Sequence, residues 1–265
     1  MTELSSAGTR ASRSAGPGRP AKGRLRLLAA AEQLFATRGL GVPNRDIVAA
    51  AGQRNRSAIN YHFASRAGLI DAVCERHETP IAQHRQHLIA RLPGPEDRTT
   101  RQLVEAHIQP LAVEMLRYVP SYWARLSEML QADQSLRFSG DIEPSVHPQS
   151  LQRADTALSE LLKLMVAHLS RLPEPEAADR VALTVRFLNS GLARWERDSQ
   201  VGVDSVAPLA PFTLMLTDLA VAMLDAPSSA PPKFDAGLWH PHNFGDRRSS
   251  QQRDFRSNPA QSCFA

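Results

Sequence analysis

Cysteine is scarce. Cys74 and Cys263 lie far apart, and neither belongs to a CxxC pair. A disulfide framework and a cysteine-rich zinc module are therefore both excluded, and a reducing compartment fits. Long apolar runs are missing as well: no stretch approaches the roughly 20 residues that a bilayer-spanning helix needs. The N-terminal residues hold Arg and Ser without an apolar core segment, so no secretory signal is expected. These absences predict a soluble, cytoplasmic protein with no membrane partner. Runs that alternate polar with apolar residues and are rich in β-branched side chains are also absent, which argues against strands and for an all-α chain. There is no glycine-rich phosphate loop, no GxSxG elbow and no HExxH pair, so an enzyme is not expected.

What is present is a 265-residue chain that is 42% hydrophobic, enough for one large or two modest domains with a real core. The net charge of +4 is small but unevenly placed. Within residues 1–26, Arg10, Arg13, Arg19, Lys22, Arg24 and Arg26 face Glu3 alone. Two readings stay open for this stretch: a basic arm that adds phosphate or minor-groove contacts, and a solvated tail.

Residues 1–20 are rich in Ser, Gly, Ala and Arg and are expected to be disordered. A first helix is predicted from Ala21 to Arg38, stopped by Gly39, and a fourth from Ser65 to about Arg91, with Pro80 expected to kink or break it. LPGPED at 92–97 marks a boundary. Further helices are predicted to Tyr118 with a bend at Pro110, from Ser121 to about 132, over 145–171, from 175 to Val201 and over 208–225, with a loop at 132–144. Residues 226–265 read as a disordered tail. There is no internal repeat.

Residues 44–66, NRDIVAAAGQRNRSAINYHFASR, carry the strongest signal. Asn44 is a good N-cap, and Ile47, Val48 and Ala51 form one apolar face. Gly52 ends that helix, Gln53-Arg54 makes a turn, and Asn55 caps a second helix whose Ala58 and Ile59 point inward. Arg56, Ser57, Asn60, Tyr61 and His62 are left outside. Arg and Asn suit base edges, whereas Ser, Tyr and His suit phosphates.

The segment from Lys22 to Leu69, about a fifth of the chain, resembles the N-terminal domain of the TetR family of transcriptional regulators. KGRLRLLAAAEQLFATRGL resembles the first helix of that family, with Ala30, Leu34 and Phe35 inward. RDIVAAAG resembles the second helix, and INYHFASRAGL the recognition helix running into the fourth. Two positions depart from the pattern. The turn Gly52-Gln53-Arg54-Asn55 is one residue longer, and Asn60 stands where many members have an aromatic.

The resemblance implies a helix-turn-helix DNA-binding domain at 21–66 and a helical ligand-binding and dimerisation domain at 67–225. It implies a homodimer on a pseudo-palindromic double-stranded operator, most simply a repressor, released by a small-molecule effector. Arg56, Ser57 and Asn60 are expected at base edges, with Gln53, Arg54 and Asn55 as alternates. Tyr61, His62, Arg66 and Arg45 are expected at phosphates. Phe63 is expected behind the recognition helix as a core plug. Helix four would transmit ligand binding to the reading heads. Met115, Tyr118, Trp123, Leu126, Met129, Phe138 and Met165 are candidates for an apolar pocket that suits a lipophilic effector, against ordinary core. Phe187, Leu188, Trp195, Phe212, Met215 and Leu219 are candidates for the dimer interface, because their helices are apolar on most sides.

His77, His84 and His87, with Glu75 or Glu78, have the residue types of a metal site, but Pro80 disrupts the spacing and a solvated polar face explains them better. His107, His147 and His168 read as partly exposed or hydrogen-bonded side chains. Cys74 and His77 suggest a nucleophile and base, yet Cys74 lies on an apolar face where a buried thiol is the usual outcome. No metal or other cofactor is expected. The alternative use of the same motif is a constitutive or architectural DNA binder with no effector.

Overall fold

The computed structural model describes residues 19–136, 156–202 and 206–228. The chain divides into two units, Met1–Ala226 and Pro227–Ala265. Among the described residues every regular element is a helix, and all lie in the first unit. They are α1 (Arg19–Arg38), α2 (Asn44–Ala50), α3 (Ala58–Phe63), α4 (Arg66–Ile89), α5 (Thr100–Leu116), α6 (Trp123–Leu136), α7 (Thr156–His168), α8 (Glu174–Val201) and α9 (Leu209–Asp225).

The first four helices close around one apolar cluster. Leu27, Leu28, Ala31 and Phe35 of α1 meet Ile47 and Val48 of α2, Ile59 and Phe63 of α3, and Leu69, Ile70 and Val73 of α4. Their i, i+3 and i+4 spacing produces one inward stripe per helix. The Gly39 amide, at φ +86°, bonds the Phe35 carbonyl and ends α1. Ser65 caps α4 by accepting from the Gly68 amide at 3.0 Å. This cluster does not stop at α4, because Trp123, Leu126 and Leu130 of α6 join it.

A second cluster fills the space among α5, α7, α8 and α9, with Leu103, Ile108, Leu161, Met165, Leu188, Leu192 and Leu216 among its members. A polar joint ties α8 to α6. The buried Glu196 carboxylate accepts from Ser121 Oγ at 2.7 Å and from the Ala124 and Arg125 amides at 3.1 and 3.0 Å. It thus satisfies donors of the first turn of α6 and places negative charge at that helix's positive end.

Several elements differ from the sequence reading. The first helix begins at Arg19, two residues before the predicted Ala21, so Arg19 of the expected arm also belongs to α1. Asn44 does not cap α2. Pro43 occupies the cap position, and the Asn44 side chain accepts from Arg66 instead. Pro80 does not break α4, which runs unbroken and packs against α1, α5 and α7. Tertiary packing on several sides outweighs the one backbone bond that proline removes. Likewise α5 continues through the buried Pro110. The loop expected from 132 begins later, since α6 reaches Leu136. Residues 145–155 of the long helix predicted before Arg171 lie outside the described residues, as do the expected disordered segments at 1–18 and from 229 onward.

His77 is not on a solvated face. It is fully buried on α4, with Nε2 3.1 Å from Glu32 of α1 and Nδ1 2.9 Å from Glu114 of α5. Its ring stacks on Trp123 at 4.7 Å. Both ring nitrogens are directed at carboxylates, so the histidine ties α4 to α1 and α5 through its nitrogens and to α6 by stacking rather than facing water. Arg85, two turns further along α4, is buried as well.

Candidate nucleic-acid interface

The link from α2 to α3 determines which side chains can reach a groove. Gly52 takes φ +64°, a left-handed conformation that costs an L side chain energy. The Asn55 side chain then accepts from the Ser57 amide at 2.9 Å, and the Ala58 amide bonds the Asn55 carbonyl. Asn55 therefore organises the turn, and regular helix starts only at Ala58. Arg56 and Ser57 sit just before α3 rather than on it, a correction to the register read from sequence. The asparagine side chain supplies a local bond that competes with an earlier helical start.

Ala58, Ile59 and Phe63 are buried and hold α3 against the core. Arg54, Asn55, Arg56, Ser57, Asn60 and Tyr61 are exposed together, Tyr61 to 74%. The Tyr61 ring meets His62 edge-on at 4.8 Å. Gln53 and His62 are only half exposed, because α1 covers them. A Cβ on Gly23 would lie 3.1 Å from Gln53 Nε2 and 3.5 Å from His62 Nε2. Arg45, at the start of α2, has a side chain 81% exposed and pairs with Asp46 at 3.4 Å.

Arg66 is the exception among the expected phosphate contacts. It is partly buried, donates to Asn44 Oδ1 at 2.6 Å and to the Leu40 carbonyl, and lies 5.2 Å from the centre of the Phe35 ring. Burial lowers its pKa from the usual arginine value. Its donors face inward, so its place is in the scaffold of the motif. The first turns of α1 supply charge in its stead. Lys22 and Arg24 are exposed, and the Arg24 guanidinium lies 5.1 Å from the Phe63 ring centre. The excess of basic residues at the start of the predicted first helix was the signal for them; which of them the fold leaves exposed beside α3 was not legible.

The expected pocket residues do not gather around one space. Met115 and Trp123 border a void of about 10 Å³ with Leu111 and Leu192. Leu126 and Met165 are fully buried core, Met129 is half-buried, and Phe138 lies outside the described residues. Tyr118 instead borders an open cleft of about 670 Å³ beside α1. Of the expected dimer residues, Met215 and Leu219 are exposed, and Phe187, Trp195 and Phe212 are half-buried. Leu188 is 0% exposed within its own chain and is thus unavailable to a second copy. His107 is buried and bonds Asn189 at 3.2 Å, and His168 bonds Thr100 at 3.1 Å; His147 lies outside the described residues.

Two short helices, α2 held to the core by Ile47 and Val48 and α3 by Ala58, Ile59 and Phe63, with Arg56 and Ser57 exposed in the turn and Asn60 exposed on α3, make a helix-turn-helix whose outer face suits DNA. The comparisons with known proteins make that class specific. Residues 27–73 match the family described as bacterial regulatory proteins, tetR family. A TetR-like transcriptional regulator from Rhodococcus sp. RHA1 shares the fold at 14% identity, over 79% of this chain and 99% of that one, with a TM-score of 0.53. A second regulatory protein of the tetR family from Rhodococcus RHA1 aligns at 13% identity, over 77% and 97% of the two chains, with a TM-score of 0.50. No protein of curated function matches the chain in sequence. Residues 27–73 thus match the N-terminal domain of that family, and the likeness of fold extends through the helices that follow it. No helix among the described residues is long and apolar enough to cross a membrane.

Proposed function

We propose that the protein is a homodimeric, ligand-responsive repressor that binds a pseudo-palindromic operator in the cytoplasm. Residues 21–66 serve as the reading head, and 67–225 as the effector and dimerisation domain. Arg56, Ser57 and Asn60 approach base edges, with Arg54 and Asn55 beside them. Tyr61, His62, Arg45, Lys22 and Arg24 hold phosphates, where cations displace condensed counterions.

The observation that carries this reading is an unpartnered stripe on α9. Met215, Leu219 and Met223 follow one another at i, i+4 and i+8, and are 47%, 47% and 37% exposed. Three large apolar side chains in one row on a helix gain by burial against a second copy. A twofold pairing there presents two reading heads, which matches a pseudo-palindromic site. An effector acts by preferring the arrangement that does not fit DNA; equal affinity for both arrangements would shift nothing.

Selection of bound sequences from a randomised duplex pool, together with the mass in solution, tests the reading. Enrichment of a pseudo-palindrome by a dimer supports it. Binding that is salt-sensitive but without sequence preference would replace it with a constitutive architectural role.

A further inference from the structure

The interior void between α5, α6 and α8 is about 10 Å³, scarcely the space of one water. Roomier concavities lie elsewhere. A cleft of about 670 Å³ opens between the reading head and the remaining helices. That volume lies within the range of small-molecule sites. Its walls include Arg26, Glu32 and Gln33 of α1, residues 50–52 at the end of α2, Arg76 of α4, and Tyr118 and Tyr122 of the α5–α6 link.

The charges in the cleft are unequal. Glu32 is the acid in the wall, and its side chain is buried and held by Arg76 at 3.5 Å and His77 at 3.1 Å. Its charge is thus met from within the fold by Arg76. Arg76 is fixed in place: it lies 4.3 Å from the Tyr118 ring centre, and its Nε donates to the Tyr118 hydroxyl at 3.2 Å. Arg26 is exposed at the rim and forms no ion pair among the described residues. The cleft thus offers surplus positive charge beside two phenol rings. An arginine pairs well with a planar oxyanion, and the rings suit a flat apolar body.

We propose that this cleft binds a small aromatic organic anion, with its acidic group toward Arg26 and Arg76 and its ring against Tyr118 and Tyr122. Such a guest touches α1 and the end of α2 on one side and the α5–α6 link on the other. Occupancy is therefore read directly by the helix-turn-helix unit. Only that regulatory consequence rests on the repressor reading; the binding itself does not.

The test uses the full chain without DNA, so its failure is separable from failure of the operator selection. The probe is 1-anilinonaphthalene-8-sulfonate, followed by fluorescence, with the uncharged N-phenyl-1-naphthylamine as its partner. Saturable binding of the sulfonate is expected, at least tenfold tighter than the neutral probe. Arg26→Gln and Tyr122→Ala should each weaken it by about fivefold or more. Leu214→Ser, in the apolar groove between α5 and α9, should leave it within twofold. Absence of saturable binding, equal affinity for the neutral probe, or loss through Leu214→Ser with Arg26→Gln unaffected would each overturn the proposal.

Discussion

Arg66 donates a hydrogen bond to the Asn44 side chain across 2.6 Å, joining the start of α4 to the start of α2. The same guanidinium reaches the Leu40 carbonyl beside Phe35. This arrangement separates two arginines that look alike in sequence. Arg66→Ala should lower stability by about 1–3 kcal/mol, since it leaves partly buried acceptors unpaired. Arg56→Ala should leave a urea titration unchanged and cost about 1–3 kcal/mol on the selected duplex. Unchanged stability in Arg66→Ala would return that residue to the phosphate contacts.

Gly68 sets how closely α4 follows the recognition helix. A Cβ there would lie 2.1 Å from the Phe63 carbonyl oxygen and 3.3 Å from its carbon. The obstacle is backbone, and Ser65 pins the same turn through the Gly68 amide. Gly68→Ala should therefore cost about 3 kcal/mol or more and weaken DNA binding by displacing α3. Gly94→Ala, with open space around the added carbon, is the matched control. Equal melting temperatures for the two variants would refute the close approach.

The parts of this fold that were legible in sequence are those whose causes are local. The inward Ala30 and Phe35, the stop at Gly39 and the cap at Ser65 each depend on residues within a few positions, whereas Leu34, read as inward with them, is only half-buried beside Leu27, Leu28 and Ala31. The departures come from long-range partners. Arg66 looked like a phosphate contact because its acceptor lies 22 residues away. His77 looked solvated because Glu114 is 37 residues distant and Glu32 sits on another helix. The start of α3 was misplaced for a different reason: an Asn55 cap is equally compatible with a helix at once and with a turn before it. Periodicity likewise showed that Met115 and Trp123 are apolar, but not that packing leaves almost no space between them.

His107 should make stability depend on pH. Burial and the nearby Arg85 charge push its pKa down to about 3, opposed by the bond to Asn189. The unfolded chain, near 6.5, then binds a proton that the folded chain refuses. Stability is full above about pH 6.5 and falls as pH drops toward 3. Between pH 7 and pH 5 this group alone should remove about 2 kcal/mol. Urea titrations at both values should show a smaller loss for His107→Gln; equal losses would mean that His107 is not the source.

His77 predicts an energetic coupling between helices. His77→Ala leaves the buried Glu32 and Glu114 carboxylates facing a vacated site, and removes the stack on Trp123. A loss of about 3–5 kcal/mol is expected, from the cavity left by a buried ring and the contacts it made. Glu114→Gln should cost less in the His77→Ala background than in the wild type, since the His77 contact is already gone and only the Arg117 pair at 3.1 Å is left to lose. Strict additivity in the double variant would show that the two residues do not interact.

The apolar stripe on α9 leads to a prediction about assembly. Wild-type protein should sediment at twice the 29.1 kDa chain mass. Met215→Glu with Leu219→Glu places charge at the centre of the stripe, where burial against a second copy would desolvate it. Both side chains are exposed in the single chain, so folding should survive while the dimer dissociates. Val119→Glu, at a residue 93% exposed on the α5–α6 link, should leave the mass unchanged. The dissociated variant should still bind one half-site weakly, through Arg56 and Asn60, but lose its preference for the full pseudo-palindrome. A folded double variant that keeps twice the chain mass would place the interface elsewhere.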